Sequence, residues 1–295
     1  MKVLIFGSNG FIGKNIKEYL QRFSKYELLC PTRKELDLLD EDTVYQYLKT
    51  NIPDVIVNAA VCRNPLYFQN MNSASELEQD IRMFYILEKY SKYYGKMLYF
   101  GSGAEYNKSR NIVNIAEDDF IHNIPTTQYG LAKYVIGRSI DQSISLYNLR
   151  IFGLFGKYEN WKNTFISGCC CKVLKKIPIT IRQNVFFDYM YIDDFCAIVR
   201  WFIDNTPVFH TYNVVTGKKI DLITIANLVK RLAQVDVPIY VCKPGLANEY
   251  TASNLRLLNE MGDITFTDMQ QSISELLKYY RGIEDQIDMM SLLYP

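Results

Sequence analysis

Seven residues near the amino end, Gly7-Ser8-Asn9-Gly10-Phe11-Ile12-Gly13, limit the folds open to this chain more than any other segment. They follow an apolar run at 3–6, suited to a buried strand, and lead into Phe11, Ile12, Ile16 and Leu20 at helical spacing. Glycines in such a turn permit tight backbone geometry and let the main chain approach a ligand closely. The helix that follows offers unpaired N–H donors and the positive end of its dipole. Strand, glycine turn and helix together read as a pyrophosphate cradle for a dinucleotide, with all seven residues as candidate cofactor contacts. The plain alternative is a glycine-rich turn with packing duties only.

The same alternation continues along the chain. Strand-like runs at 27–30, 55–57, 97–100 and 147–152 are separated by helical patterns at 40–49, 73–94 and 128–145, the first of them capped by Asp40. Strands alternating with helices imply right-handed crossovers and a parallel sheet. The expected fold is therefore α/β: a Rossmann-type, doubly wound parallel sheet with a smaller, interleaved C-terminal α/β substrate-binding region. Residues 1–155 are assigned to the dinucleotide-binding part, with 186–215 returning to it, and 156–295 mainly to substrate binding. Beyond residue 152 the pattern loosens into short strands at 177–181 and 212–215 and helices near 161–175, 193–204, 221–234 and 269–281. No repeat or low-complexity linker interrupts the 295 residues.

Composition narrows the chemistry. Only two histidines, His122 and His210, stand against 23 tyrosines, which leaves little room for a histidine-held metal or a histidine triad, and no metal site is expected. With 33 basic and 32 acidic side chains the net charge is +1, which argues against nucleic acid as a partner. The run at 3–6 is far too short for a signal core or a membrane span, so no membrane partner is expected either. The seven cysteines are odd in number, include Cys169-Cys170-Cys171 and form no CxxC pair. They read as reduced packing residues of a soluble, cytoplasmic protein.

Proton chemistry then falls to other groups. Tyr129 and Lys133 lie one turn apart on one helical face, and an ammonium beside a phenol favours phenolate, bringing it toward use as a general acid or base. The same YxxxK spacing occurs at Tyr45/Lys49, Tyr85/Lys89 and Tyr158/Lys162. Only Tyr129 follows a strand ending in Gly101-Ser102-Gly103 by a loop that lets the serine hydroxyl meet it at the carboxyl edge of the sheet. Ser102, Tyr129 and Lys133 are the candidate catalytic residues. At the end of the second strand, Cys30-Pro31-Thr32-Arg33-Lys34 stands where an acid would bind the ribose of NAD. Cations and a hydroxyl there suit a 2′-phosphate, so NADP(H) is favoured over NAD(H), unless Arg33 and Lys34 are only a solvated loop. Asp37 is placed to face the adenine.

Taken together, the glycine turn, Asn58-Ala59-Ala60, Ser102, Tyr129/Lys133 and the segment from Phe187 to Asp194 follow the order seen in extended short-chain dehydrogenases/reductases. The chain resembles that family, whose members modify nucleotide-activated sugars, over nearly its whole length. The stretch from Thr32 to Asp40 is similar to that of GDP-fucose synthases, which use NADPH. The resemblance implies a nucleotide-diphosphate sugar as partner, a hydride passing between nicotinamide and a sugar carbon, and a homodimer built on the helices at 73–94 and 128–145. It implies that Ser102 bonds the carbonyl, Tyr129 gives or takes the proton, and Lys133 holds the ribose and tunes Tyr129. Leu38, Ala59 and Ala60 would join the cofactor contacts.

Departures from the family pattern narrow the subtype. Dehydratases carry an Asp-Glu pair after the catalytic hydroxyl, where Gly103 and Ala104 stand here. GDP-fucose synthases epimerise with a cysteine at the Ala104 position and a histidine further on. What remains fits reduction of a 4-keto-6-deoxy sugar for surface polysaccharide supply. The alternatives are an NAD-retaining 4-epimerase and a non-catalytic dinucleotide-sensing or scaffold protein. For the substrate, Gly103 and Glu105 are candidate contacts, Glu105 at a sugar hydroxyl or on the rim. Asn163 is a candidate at the diphosphate, with Arg182 replacing the arginine that the family places where Phe187 stands. Trp161 and Tyr158 read as base-stacking or core residues, and Asp193-Asp194 as a helix N-cap.

Overall fold

The computed structural model describes residues 1–61, 76–122, 124–262 and 264–293. The chain opens with β1 (Lys2–Phe6), α1 (Phe11–Leu20), β2 (Glu27–Leu29), α2 (Glu41–Asn51), β3 (Val55–Asn58), α3 (Glu76–Lys89) and β4 (Lys96–Ser102). It continues through β5 (Ile112–Ile115), α4 (Gln128–Ile140), β6 (Leu146–Ile151), β7 (Gly153–Phe155), α5 (Phe165–Leu174), β8 (Ile179–Asn184) and β9 (Phe186–Tyr191). The remainder is α6 (Ile192–Asp204), β10 (Thr211–Val214), β11 (Lys219–Asp221), α7 (Leu222–Ala233), β12 (Ile239–Leu246), β13 (Tyr250–Ala252), α8 (Leu255–Met261), α9 (Met269–Gly282) and α10 (Met289–Leu293).

Six strands form one parallel sheet in the order β10-β6-β4-β3-β1-β2. Successive side chains of a strand point to opposite faces, and both faces are covered. Val3, Ile5, Val57, Leu98 and Phe100 pack with α1 and α6. Leu4, Phe6, Ile56, Met97 and Tyr99 pack with α2, α3 and α4. Strands buried on both sides are apolar throughout instead of alternating, which is why they read as short continuous runs. The chain leaves β1 for β2 on one side and returns to β3 on the other, opening a crevice above their carboxyl ends.

A second body is built around α5, α7 and α9, whose core includes Cys169, Cys170, Cys171, Ile225, Val229, Leu276 and Tyr280. A small sheet, β11-β9-β13-β5 with β7 on β9, lies between the two, and β12 pairs with β8. Six cysteines among the described residues are free; Cys242 is exposed, so it is not the packing residue expected, and Cys62 lies outside those residues. No helix among the described residues is long and apolar enough to cross a membrane.

Several expected bounds shift for local reasons. Asp40 caps α2 as expected, accepting from the Thr43 N–H at 3.1 Å. The pattern at 128–145 stops at Ile140 because the Ser143 hydroxyl donates to the Ile140 carbonyl and accepts from the Leu146 N–H, a side-chain turn that competes with the helix. The helix expected from 161 begins only at Phe165, after the Asn160 side chain accepts from the Lys162 N–H at 3.2 Å. Residues 73–75 of the pattern at 73–94 lie outside the described residues, and the α-helix there ends at Lys89.

Candidate active site

The glycine turn is built as its spacing requires. Gly7 takes φ +71°, and a Cβ on it would stand 2.6 Å from the Ala59 carbonyl oxygen, so both conformation and space demand glycine. Gly13 lets α1 press against the turn, since a Cβ there would lie 2.2 Å from the Gly7 carbonyl oxygen. Gly10 starts α1 with no side-chain cap, and the first turn carries no acid. The amino end of α1 is therefore unneutralised and free to face an anion.

Beside this turn, over the carboxyl ends of β1 and β3, lies a cleft of about 310 Å³ lined among others by Gly7, Ser8, Asn9, Gly10, Arg33, Asp37, Leu38, Ala59 and Ala60. Nine of the expected cofactor residues are thus brought together. Phe11 and Ile12 open α1 next to the cleft and pack partly into the core, and Gly13 is buried beneath the turn. The Asn58 side chain accepts from the Ala60 N–H at 3.2 Å and shapes the wall. Arg33 and Asp37 are 3.8 Å apart and largely exposed, a pairing weak enough to yield to a ligand phosphate. Asp37 also accepts from the Leu39 N–H at 3.1 Å. The glycine cradle and its lining fit a dinucleotide.

Ser102 ends β4 and caps the following turn, Gly103–Tyr106. Its hydroxyl accepts from the Ala104 N–H at 3.1 Å, while the Glu105 carboxylate accepts from the Ser102 N–H at 3.0 Å. The first turn of α4 abuts this one: a Cβ on Gly130 would lie 2.9 Å from the Ala104 carbonyl oxygen. Thr127 caps α4 by accepting from the Gly130 N–H, which sets Tyr129, half-buried, in the first turn. Lys133 is 2 % exposed, with its Nζ 5.8 Å from the centre of the Tyr129 ring. Its hydrogen bonds go elsewhere, to Tyr99 Oη at 2.8 Å and the Phe100 carbonyl at 3.0 Å. Burial works against the ammonium, but Tyr99, Tyr129 and Asp80 outweigh it, and its pKa is raised. Ser102, Tyr129 and Lys133 converge at the carboxyl edge of β4, with Tyr99 as a partner that the sequence reading missed.

The substrate candidates fare differently. Glu105 meets neither a sugar hydroxyl nor the rim. Its carboxylate is 0 % exposed, accepts from Arg150 Nε at 2.6 Å and from Asn148 Nδ2 at 3.1 Å, and is spent on the interior. Gly103 is buried as well, under Tyr250 and Phe152. Asn163 lines a separate cleft of about 440 Å³ at the start of α5, with Trp161, Lys162, Thr164, Lys172 and Thr180. Arg182 is exposed on β8, two residues beyond Thr180. Glu159 lies close by; it accepts from the Ser167 hydroxyl, and burial pushes its carboxyl up to about 7.

Other expectations are corrected. Asp194 does not cap α6; it accepts from the Thr267 N–H at 2.9 Å and hydroxyl at 2.7 Å, pinning a distant loop. The Tyr158 hydroxyl donates to Glu18 at 2.8 Å, and the Lys14 ammonium lies 3.7 Å from the centre of its ring. His210 stacks on Tyr147 and His122 is exposed, so neither joins the catalytic group.

The NAD dependent epimerase/dehydratase family model matches residues 3–215. GDP-L-colitose synthase of Yersinia pseudotuberculosis is 26 % identical over 307 aligned residues, spanning 95 % of this chain and 98 % of its own. The fold is similar to that of a UDP-glucose 4-epimerase of Thermotoga maritima with UDP-glucose, at TM-score 0.82 and 16 % identity, covering 96 % and 99 % of the two chains. It is equally similar to a GDP-L-fucose synthetase of Naegleria fowleri bound to NADP, at TM-score 0.82 and 16 % identity, covering 96 % and 93 %.

Proposed function

Because the chain belongs to the NAD dependent epimerase/dehydratase family, and so is a nicotinamide-dinucleotide enzyme, we propose that it reduces the 4-keto group of a nucleotide-linked 6-deoxy sugar with NADPH. The observation that carries this reading is the meeting of Ser102, Tyr129 and Lys133 on the carboxyl edge of β4, with Gly103 and Ala104 following Ser102. Elimination of water needs an acid and a base beside the hydroxyl, and epimerisation beside a ketone needs a residue to carry the proton. Glycine and alanine supply neither. Reduction needs only a hydride and one proton.

In this reading the bound nicotinamide supplies the hydride. Tyr129 gives its phenolic proton to the carbonyl oxygen, and Ser102 donates a hydrogen bond to the same oxygen. Lys133, charged and held by Tyr99 and the Phe100 carbonyl, favours the phenolate that Tyr129 becomes. The weakly paired Arg33 supports NADPH, because a 2′-phosphate can draw the guanidinium away from Asp37. The Yersinia relative's name supports a GDP-linked sugar, and a place in the supply of surface polysaccharide belongs to the same proposal. Asn163, Lys162 and Lys172 would face the diphosphate from the start of α5. Self-association through α3 and α4 belongs to the same proposal.

The test is a panel of GDP-, UDP-, CDP- and dTDP-linked 4-keto-6-deoxy sugars followed by NADPH absorbance and product mass. One NADPH consumed per sugar reduced is the expected result, and Tyr129→Phe should abolish it. Conversion with no net change in cofactor sinks the reductase reading in favour of a 4-epimerase. Turnover untouched by Tyr129→Phe would contradict the role given to that residue.

A further inference from the structure

Glu105 faces no open cleft, yet it lies against both elements that carry the catalytic group. It sits in the turn after β4, and its carboxylate folds back under the end of that strand. Oε1 accepts from the Ser102 N–H at 3.0 Å. Oε2 accepts from Arg150 Nε at 2.6 Å and Asn148 Nδ2 at 3.1 Å, both on the neighbouring strand β6. Two glycines make room for it. A Cβ on Gly101 of β4 would fall on Glu105 Oε1 and Asn148 Oδ1, and one on Gly137 of α4 would stand 2.8 Å from Glu105 Oε2. Gly137 follows Tyr129 and Lys133 at four-residue steps, on the same face of α4. The carboxylate is thus wedged between the strand that ends in Ser102 and the helix that carries the other two catalytic candidates.

A buried ion pair is not the most stable way to fill such a space, because apolar residues of similar volume do as well or better. What an apolar side chain cannot do is accept from the Ser102 N–H. The exchange at this turn is reciprocal: the Ser102 hydroxyl accepts from the Ala104 N–H at 3.1 Å while Glu105 accepts from the Ser102 N–H. This is a capping box, a device that elsewhere starts a helix. Here it closes the four-residue turn Gly103–Tyr106 and holds Ser102 by both its backbone and its side chain. With one lone pair filled by Ala104, the hydroxyl still has its own proton to give.

We propose that Glu105 is a positioning residue of the active site: anchored from the interior by Arg150 and Asn148, its carboxylate fixes the backbone at Ser102, and so aims the Ser102 hydroxyl at the carbonyl oxygen of the bound sugar. The inference rests on the reading of Ser102 as donor to that carbonyl. It accounts for a buried charge pair where apolar packing would serve stability, and for glycine at both 101 and 137.

Two double variants test it, Glu105→Leu with Arg150→Met and Glu105→Gln with Arg150→Met, each assayed on a GDP-linked 4-keto-6-deoxyhexose with NADPH. Both remove the two charges together, so neither strands an ion in the interior. Only Glu105→Gln keeps an oxygen that can accept from the Ser102 N–H. With Glu105→Leu, kcat should fall about 30-fold below wild type, and with Glu105→Gln it should stay within about threefold. Affinity for NADPH, measured by fluorescence, should change less than about twofold in both. The leucine variant should have a urea midpoint at least as high as the glutamine variant, so that turnover and stability rank in opposite order, which a purely structural role would not produce. Equal kcat in the two variants overturns the proposal, because the acceptor then makes no difference. Should the leucine variant fail to fold, the glutamine variant decides alone: a kcat within about threefold of wild type supports the proposal and a larger loss overturns it. Ser102→Ala separates the two readings. If it turns over normally, Ser102 is not the donor and the proposal falls with that reading. If it is slow while the two double variants are equal, the reading of Ser102 stands and only the role of Glu105 is lost.

Discussion

Glu105 and Arg150 form an ion pair at 2.6 Å with exposures of 0 % and 1 %, directly beneath Ser102, whose N–H donates to Glu105. Such a pair contributes little to net stability compared with apolar residues of the same volume, but breaking it strands a charge in the interior. Arg150 has further partners, the Tyr106 hydroxyl at 2.8 Å and the face of Phe120 at 3.9 Å, and neither is anionic. Glu105→Gln should therefore cost about 3 kcal/mol, read as a lower urea midpoint with unchanged slope. Replacing Arg150 by Met in the same chain should recover part of it. Equal stability of Glu105→Gln and wild type would show that the charge is not what matters. At this scale legibility depended on position in sequence. Ser102, Tyr129 and Lys133 were readable because a strand end and a helix start locate them. Glu105 and Tyr99 were not, since their roles come from partners 45 and 34 residues away in the chain, respectively Arg150 and Lys133.

Elements were readable where burial on two faces or amphipathic period marks them, as in β1, β3, β4 and α1. Strands β5, β7, β11 and β13 have only three or four residues and no full period to detect, while β12 is exposed along nearly its whole length. Their pairing is fixed by the sheet that they join, which local sequence does not encode. At α5 a buried acid offers a test of one element. The Glu159 carboxyl is pushed up from 4.5 to about 7 by burial, against the pull of the Ser167 and Thr164 hydroxyls and the Gly156 backbone. Between those values the unfolded chain releases this proton and the folded chain keeps it. The folded state then binds more protons, so stability falls as pH rises through the window and levels off above about 7. The loss should be about 2 kcal/mol, less than the full shift implies because the residue retains some solvent contact. Urea midpoints at about pH 5 and pH 8 check this: Glu159→Gln should remove most of the difference. The same pH dependence in both proteins would show that other groups govern it.

On the scale of the whole molecule, the chain does not divide where its chemistry divides. After β9 it re-enters the first body, since α6 packs on the main sheet with α1 and β10 joins β6, and it then leaves again for α7 and α9. Polar ties reinforce the crossing: Glu18 on α1 accepts from Lys157 Nζ at 2.6 Å and the Tyr158 hydroxyl at 2.8 Å, and Asn15 Nδ2 donates to the Lys157 carbonyl at 2.9 Å. A body whose sheet lacks β10 until the other body's strands are threaded cannot complete its core alone, so partial unfolding of either should expose apolar surface in both. The two tryptophans allow this to be measured, because Trp161 borders the α5 core and Trp201 lies on α6. Trp161→Phe and Trp201→Phe leave one reporter in each body. Their fluorescence midpoints in urea should coincide with each other, after correction for each variant's own stability by far-ultraviolet circular dichroism, and NADPH should raise both together. Two separated transitions, with NADPH raising only the Trp201 midpoint, would mean that the crossing strands do not couple the bodies, and that the carboxyl edge of β4 can remain folded while the body around α5, α7 and α9 opens.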